Sequence, residues 1–297
     1  MKHLPEMIRT KILVTIALSL LLVLFLSVGS SYWLKQVKSS EKTRHEANEL
    51  KELLAYKINL EAKLLTGFID SIQKDIHLQN SFISGSRDDL LTQAAPLFNL
   101  INSKYNVTHF YFINLDRTCF LRVHKPDFFG DSIDRYTLKQ AVTMGQISHG
   151  IELGPLGTFT LRVVYPWYFN GKLQGYLELG TEINYIAPQI ANFLEAELII
   201  SIKKKYLNKN KWEEGMRLMG RLSNWAQFDN IVIVSNTIPE IPEAIKTALS
   251  ITSKSTDIEQ FTLKHKGKTY YSAIYNLKDA SASMWVILSF YQTLSPF

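Results

Sequence analysis

Cysteine is almost missing from this sequence: Cys119 is the only one in 297 residues. A disulfide framework and a cysteine-built zinc finger are both excluded. A surplus of one charge is missing as well. The 33 Lys and Arg face 27 Asp and Glu, leaving +6, too thin a surplus to argue for nucleic acid as a partner. Nor is the chain short of apolar residues, at 46% hydrophobic, so a disordered chain is ruled out. No GxSxG, P-loop or HExxH string occurs, and these are common signatures of hydrolases, nucleotide-binding enzymes and zinc proteases. Gly154-Pro-Leu-Gly157 reads as a turn, not a phosphate cradle. Nothing points to an enzyme or a cofactor, and the length allows one large domain or two small ones.

What is present begins with one long hydrophobic run. Ile12 to Leu34 is 23 residues without a charged side chain. As a helix rising 1.5 Å per residue, it crosses a hydrocarbon core of about 30 Å. Tyr32 and Trp33 stand at its end, where aromatic rings favour the interface. A cleaved signal peptide is the competing reading, with Lys2, Arg9 and Lys11 before the run and Ser27-Val-Gly29 as its cleavage site. The run is longer than the usual apolar segment of about 7–15 residues in such peptides, so an uncleaved signal anchor is favoured. Lys35, Lys38, Lys42 and Arg44 balance the basic residues on the other side, so the positive-inside rule is nearly neutral. The segment before the run is too short for a domain. The expected layout is a cytoplasmic stub over 1–11, an inner-membrane anchor over 12–34 and an extracytoplasmic, periplasmic remainder.

From Lys35 to about Asn80 the chain reads as one proline-free helix, a stalk and then a spine. Leu50, Leu54, Ile58, Ala62, Leu65, Ile69, Ile72 and Ile76 step by four or three, an apolar stripe on one helical face. It must be buried on a sheet or against a second copy, and the 50–76 stripe has surface enough for both, so a homodimer is one expectation. A second helix runs from about Asp88 to Lys104, with Ser86 or Asp88 as its cap. The period then switches to that of strands, at Thr108–Asn114, Thr118–Lys125, Ile147–Leu153, Thr158–Tyr168 and Leu173–Thr181. A short helix, about Ile133 to Met144, interrupts them, and Asn170-Gly171 turns the last hairpin. The remainder repeats a shorter version: strand Leu198–Ile202, helix Lys211–Leu222, strand Asn230–Ser235, helix Pro242–Ser250, then strands Glu259–His265, Lys268–Leu277 and Met284–Phe290. Lys266-Gly267 turns its hairpin. The class is α+β with antiparallel five-stranded sheets, and the shared Gly-turned ending points to two related modules. Lys203-Lys-Lys205 reads as a solvated edge.

Three groups of residues carry a resemblance. Phe120-Leu-Arg-Val-His-Lys-Pro126 with Gly130-Asp131 is similar to the second strand of a known sensor module. Gly150-Ile-Glu-Leu-Gly154, Leu161-Arg162, Pro166 and Gly175-Tyr-Leu-Glu-Leu-Gly180 look like its closing hairpin. Trp212-Glu-Glu-Gly-Met216 with Asn224-Trp225 resembles the second module. Together they resemble the double Cache family, the double sensory domain of two-component sensor kinases, over about residues 45–290. The resemblance implies an N-terminal transmembrane helix, a spine helix over 35–80, and two tandem PAS-like modules, membrane-distal over 81–185 and membrane-proximal over 186–297. It implies an extracytoplasmic ligand sensor feeding a kinase, a cyclase or a chemotaxis domain across the membrane. Met284 to Tyr291 is strand length, not span length, so the expectation is a sensing domain without its own output domain. The alternative is a membrane-anchored scaffold that signals through another protein.

Strand alternation then locates a site. Leu121, Val123, Leu161, Val163, Leu177, Leu179, Ile151 and Leu153 fall on one face, with Cys119. Arg122, His124, Glu152, Arg162, Tyr176 and Glu178 gather on the other, along with Phe120. Charged groups are costly to bury unless paired, so this face is either wet or a pocket. As a pocket it takes a small polar or carboxylate-bearing ligand, with Arg122 or Arg162 as a bidentate fork and Glu152 or Glu178 as acceptor. His124, Asp127, His149 and Glu152 lack any metal-ligand spacing, so no metal is expected.

Overall fold

In the computed structural model the chain divides into two units, Met1–Glu46 and Ala47–Phe297. The structure describes residues 6–293 apart from 155, 186, 194, 219, 239, 252–258, 266–267 and 282–283. The hairpin turn expected at Lys266-Gly267 lies outside the described residues. Helix α1 (Glu6–Ile72) begins in the first unit. There the stretch Thr10–Lys38 is apolar, and none of it is buried. Within it, three hydroxyls bond back to the helix's own carbonyls, Thr15 to Lys11, Ser19 to Ile16 and Ser30 to Ser27, each at 2.9 Å. A helix of this length with its apolar side chains outward suits hydrocarbon, which is consistent with a transmembrane anchor.

In the second unit α1 carries the spine stripe. Leu54, Ala62, Leu65, Ile69 and Ile72 are buried. The sequence suggested one helix to Asn80, but α1 stops at Ile72 and a separate helix α2 (Ile76–Ile83) follows. The break has a local cause: Asp75 Oδ1 accepts from the amides of His77 at 2.9 Å and Leu78 at 3.2 Å, capping a new helix. The Gln73 carbonyl, released by the helix end, is taken up by the Gln79 side chain and by Trp167 Nε1. Ile76, beyond the break, is exposed. Helix α3 (Arg87–Tyr105) ends on Asn106 in the left-handed region, φ 55°. Ser86 holds its N-cap position, but the Ser86 hydroxyl bonds Asp89 rather than a helix amide.

The first sheet contains β1 (His109–Asn114), β2 (Cys119–Arg122), β3 (Ser148–Leu153), β4 (Phe159–Phe169) and β5 (Lys172–Glu182), with α4 (Tyr136–Met144) between β2 and β3. Its order is β2-β1-β5-β4-β3, all antiparallel. Asn170 and Gly171 both have positive φ, 48° and 75°, as the two-residue hairpin turn requires. One face packs Phe110, Phe112, Leu121, Leu161, Val163, Leu177 and Leu179 with the spine stripe. The other faces α4 through Ile113, Val164, Leu138 and Ala141.

Two residues depart from strict alternation. Phe112 pairs with Leu121 but Ile113 pairs with Cys119, so Phe120 is an extra residue in a bulge. The bulge turns Cys119 to the α4 side, where it is buried beside Ile113. Phe120 instead meets Phe82, with ring centroids 5.1 Å apart, on the spine side.

Beyond the first sheet lie α5 (Ala187–Phe193), which the sequence reading missed, β6 (Glu197–Lys203), α6 (Lys209–Leu218), β7 (Ile231–Asn236), α7 (Glu243–Ile251), β8 (Glu259–His265), β9 (Lys268–Lys278) and β10 (Met284–Thr293). These five strands form a second sheet of order β7-β6-β10-β9-β8. Helix α6 stops before Leu222, which is exposed. The Lys203–Lys205 edge is not uniformly wet: Lys203 is buried, and Lys204 donates to the Phe228 carbonyl. The turn after β9 reaches the first sheet at β3, where the Ala280 amide donates to the Ile151 carbonyl at 2.8 Å. Gly150 is needed there, because a Cβ would lie 2.6 Å from Ala280 Cβ.

Candidate ligand site

The α4 face of the first sheet holds a group of buried charges. The β4–β5 register sets Val164 opposite Glu178 and Arg162 opposite Gly180. Arg162 thus meets Glu178 diagonally, Nη1 donating to Oε1 at 2.6 Å. Arg162 is 1% exposed and Glu178 0%. A second guanidinium, Arg135 at the N-cap of α4, donates to the same oxygen. Burial pushes the Glu178 carboxyl up, but Arg135 and Arg162 together outweigh it and hold it below the usual carboxylate range. Arg135 Nη2 also reaches Tyr111 Oη at 3.1 Å, and its guanidinium lies over the Tyr111 ring at 4.7 Å.

Glu152 has a different task. On β3, it accepts from the Thr137 amide at 3.0 Å and the Thr137 hydroxyl at 2.9 Å. Arg135 offers no side-chain cap there, so a carboxylate from the sheet closes the start of α4, where unpaired amides and the helix dipole favour negative charge. Its Oε2 stands 4.0 Å from Arg162 Nε, an ion pair without a hydrogen bond.

Arg122 and His124 sit on the β2 side. The Arg122 fork closes on Asp131, at 2.6 and 2.7 Å, and Nη1 also donates to the Phe128 carbonyl at 2.6 Å. This hydrogen bonding holds the Asp131 carboxyl below its usual range. His124 Nδ1 accepts from the Phe110 amide at 3.2 Å, and its ring meets His109 edge-on at 4.8 Å. Burial, with the nearby arginines adding to it, pushes His124 down to about 4 and His109 well below its normal value. Both rings are neutral near neutral pH.

Of the six residues expected from alternation, Glu152, Arg162 and Glu178 converge, and Arg122 and His124 lie near them around Tyr111. Tyr176 departs from the charged group. It is buried among Ile113, Cys119, Ile133, Leu138, Ala141 and Val164, an apolar part of the same face to which the bulge adds Cys119. Arg135, Tyr111, His109 and Asp131 were missed. Tyr111 and His109 follow from the same alternation applied to β1, opposite Phe110 and Phe112. Arg135 carries no strand signal, because it lies in the segment read as helix.

Three positive and three negative side chains thus form the group: Arg122, Arg135 and Arg162 against Asp131, Glu152 and Glu178. Among the described residues of this face, three buried atoms lack a hydrogen-bond partner: Arg162 Nε, Glu178 Oε2 and Thr160 Oγ1. Among the described residues no three His, Cys, Asp or Glu side chains come together as a metal cage.

Residues 43–289 match the family described as the double sensory domain of two-component sensor kinases, and the chain belongs to that family. Its members are sensory ligand-binding domains rather than catalytic ones. Solved structures resemble this chain at low identity. The periplasmic domain of Vibrio cholerae LuxQ is 13% identical with a TM-score of 0.50, covering 83% of this chain and 97% of that one. A domain of a sensory box/GGDEF family protein from Vibrio parahaemolyticus is 18% identical with a TM-score of 0.47, covering 86% and 97%. The sensor domain of the Vibrio cholerae histidine kinase DctB is 12% identical with a TM-score of 0.44, covering 84% and 100%. Against curated proteins the sequence finds no match.

Proposed function

We propose that the chain is the extracytoplasmic, small-molecule-sensing part of a membrane-anchored signal-transduction receptor, held in the inner membrane by residues 12–34. In this reading each sheet with its helices is one PAS-like module, distal over 81–185 and proximal over 186–297, with 35–80 as stalk and spine. The ligand site is the α4 face of the first sheet, centred on Arg162, Glu178 and Glu152, with Arg135 beside them. Tyr111 and His124 form its wall, and Arg122 with Asp131 fastens the β2–α4 segment. The observation that carries this reading is that two side chains buried to nine-tenths or more, Arg162 and Glu178, each keep an unpartnered polar atom. A structural ion pair gains most when every donor and acceptor is matched. Unmatched ones at a charged centre suit a site that completes its bonding with something else.

The test is thermal unfolding of the full chain in detergent micelles against a small-molecule library. A ligand that binds only the folded state raises the midpoint in a concentration-dependent way. The rise should be lost in Arg162→Leu. A rise that persists in that variant places the site elsewhere.

A second reading has one observation in its favour. Tyr56 and Leu60 on α1 are exposed, at 63% and 45%. A helix face of this kind fits a partner helix, either a second copy of this chain or a receptor for which the chain is the anchored scaffold. Crosslinking in membranes from a Tyr56→Cys variant tests it: a dimer band supports a second copy, and loss of any adduct removes the reading.

A further inference from the structure

The α4 face is already balanced in charge before a ligand arrives. Asp131 fills the Arg122 fork with two hydrogen bonds. Glu178 Oε1 takes one terminal nitrogen each from Arg135 and Arg162. The remaining positions are of two kinds. Arg162 Nε can only donate, and Glu178 Oε2, on an ionised carboxylate, can only accept. Thr160 Oγ1 can do either, and it too is unpartnered.

We propose that this site takes an uncharged ligand bearing hydroxyl or primary amide groups, such as a polyol or a small amide, in preference to a free carboxylate. The inference rests on the reading of this face as the ligand site. A hydroxyl or amide accepts from Arg162 Nε and donates to Glu178 Oε2, matching the two orphan atoms with one or two adjacent groups. A carboxylate answers Arg162 alone and places a second anion beside Glu178. It would leave the buried group one negative charge in excess, and an uncompensated buried charge is strongly unfavourable. His109 and His124 do not offset that charge near neutral pH, because burial keeps their rings neutral. A carboxylate could win a fork only by evicting Asp131 or Glu178. A zwitterion keeps the net charge at zero, but its ammonium brings three donors to a site where only Glu178 Oε2 and Thr160 Oγ1 stand open.

Access follows from the same contacts. The orphan atoms are enclosed, so a ligand reaches them when the β2–α4 segment lifts. That segment is fastened by Arg122–Asp131 at its edge, where Asp131 is half exposed, and by Arg135–Glu178 inside. The outer pair is the easier to release, because water reaches its half-exposed Asp131, whereas Glu178 of the inner pair is fully buried.

The experiment uses the full chain in detergent micelles, followed by intrinsic tryptophan fluorescence during heating. The probes are glycerol, myo-inositol, glucose and acetamide against acetate, succinate, glycine and alanine, at equal millimolar concentrations and constant ionic strength. The expected result is a saturable rise in midpoint with at least one uncharged probe and none with the carboxylates. Thr160→Val is the companion variant, because it keeps shape and every charge pair and so keeps the fold. It should weaken the uncharged probe about tenfold, the loss of roughly one buried hydrogen bond. A rise confined to carboxylates or amino acids, and lost in Arg162→Leu, overturns the uncharged class while leaving the site. A rise with any probe that survives both variants overturns the site itself. No rise with any probe overturns the uncharged class, and the wider library then decides the site.

Discussion

Beneath α4 the first sheet buries Arg162, Glu178 and Glu152. Beneath α7 the second sheet, strung in the same strand order, buries Ile199, Ile233, Ile274 and Tyr291 against Ile245 and Leu249. The spine-side core is alike in both, drawing Leu177 and Leu179 from one sheet and Leu198 and Ile200 from the other into one cluster. The two faces therefore obey different demands. A face that only needs to hold a helix is cheapest when apolar, since burying aliphatic side chains is favourable and leaves nothing to satisfy. A face that spends ion pairs on the same job, and leaves some of their atoms unmatched, has chemistry that packing alone does not require. That contrast is the ground on which we propose the first sheet as the ligand-binding one.

The sharpest way to break the comparison is Arg162→Leu. It leaves buried Glu178 with Arg135 as its one remaining partner, and breaking a buried pair costs about 3–5 kcal/mol. Urea unfolding of the full chain in micelles reads this as a lower midpoint. A loss under about 1 kcal/mol would mean the face is wetter than the structure shows. On the second sheet, Ile245→Ala removes a side chain 1% exposed and should cost about 2–4 kcal/mol by cavity formation. That loss should be indifferent to pH and to any ligand, unlike the first.

A smaller effect separates the two faces by acid titration. The folded His124 has its pKa pressed to about 4 from 6.5, and His109 is lowered in the same direction. Folding therefore favours the neutral rings. Their contribution is complete above pH 6.5 and is lost as the pH falls from there towards 4, where the unfolded chain binds the protons first. His124→Gln should flatten that slope in unfolding midpoints measured from pH 7 to 4.5, while Ile245→Ala should leave it parallel to the parent. The smallest effect is expected at Ser272 on β9, fully buried with an unpartnered hydroxyl on the α7 face. Ser272→Ala should be neutral or slightly stabilising, within about 1 kcal/mol. A clear loss there would show that the second face, too, depends on a polar contact.

Much of this was legible in the residues. The period-2 pattern placed all five strands of the first sheet to within three residues, and it put Arg162, Glu178 and Glu152 on one face. The family resemblance rested on three groups of short strings: two fall on strands and turns of that sheet, and the third, around Trp212 and Trp225, on α6 and the 3-10 turn before β7. What escaped notice had local causes. One extra residue, Phe120, reversed the side of Cys119, and alternation has no means of announcing a bulge. Asp75 ended the spine early without any proline or glycine, although an Asp three residues ahead of Leu78 is a cap signal in principle. Arg135 was invisible because its role comes from the angle at which α4 meets the sheet. Glu152 was placed on the right face, but nothing in its neighbours in sequence shows that it closes a helix fifteen residues earlier.

The most direct test of the central claim is hydrogen exchange on the full chain, with and without the probe that stabilises it most. The account predicts added protection in α4, β4 and β5, including the Thr137 amide that Glu152 holds, with the strands under α7 little changed. Protection concentrated instead in β6, β7 and α7, with α4 unaffected, would contradict it.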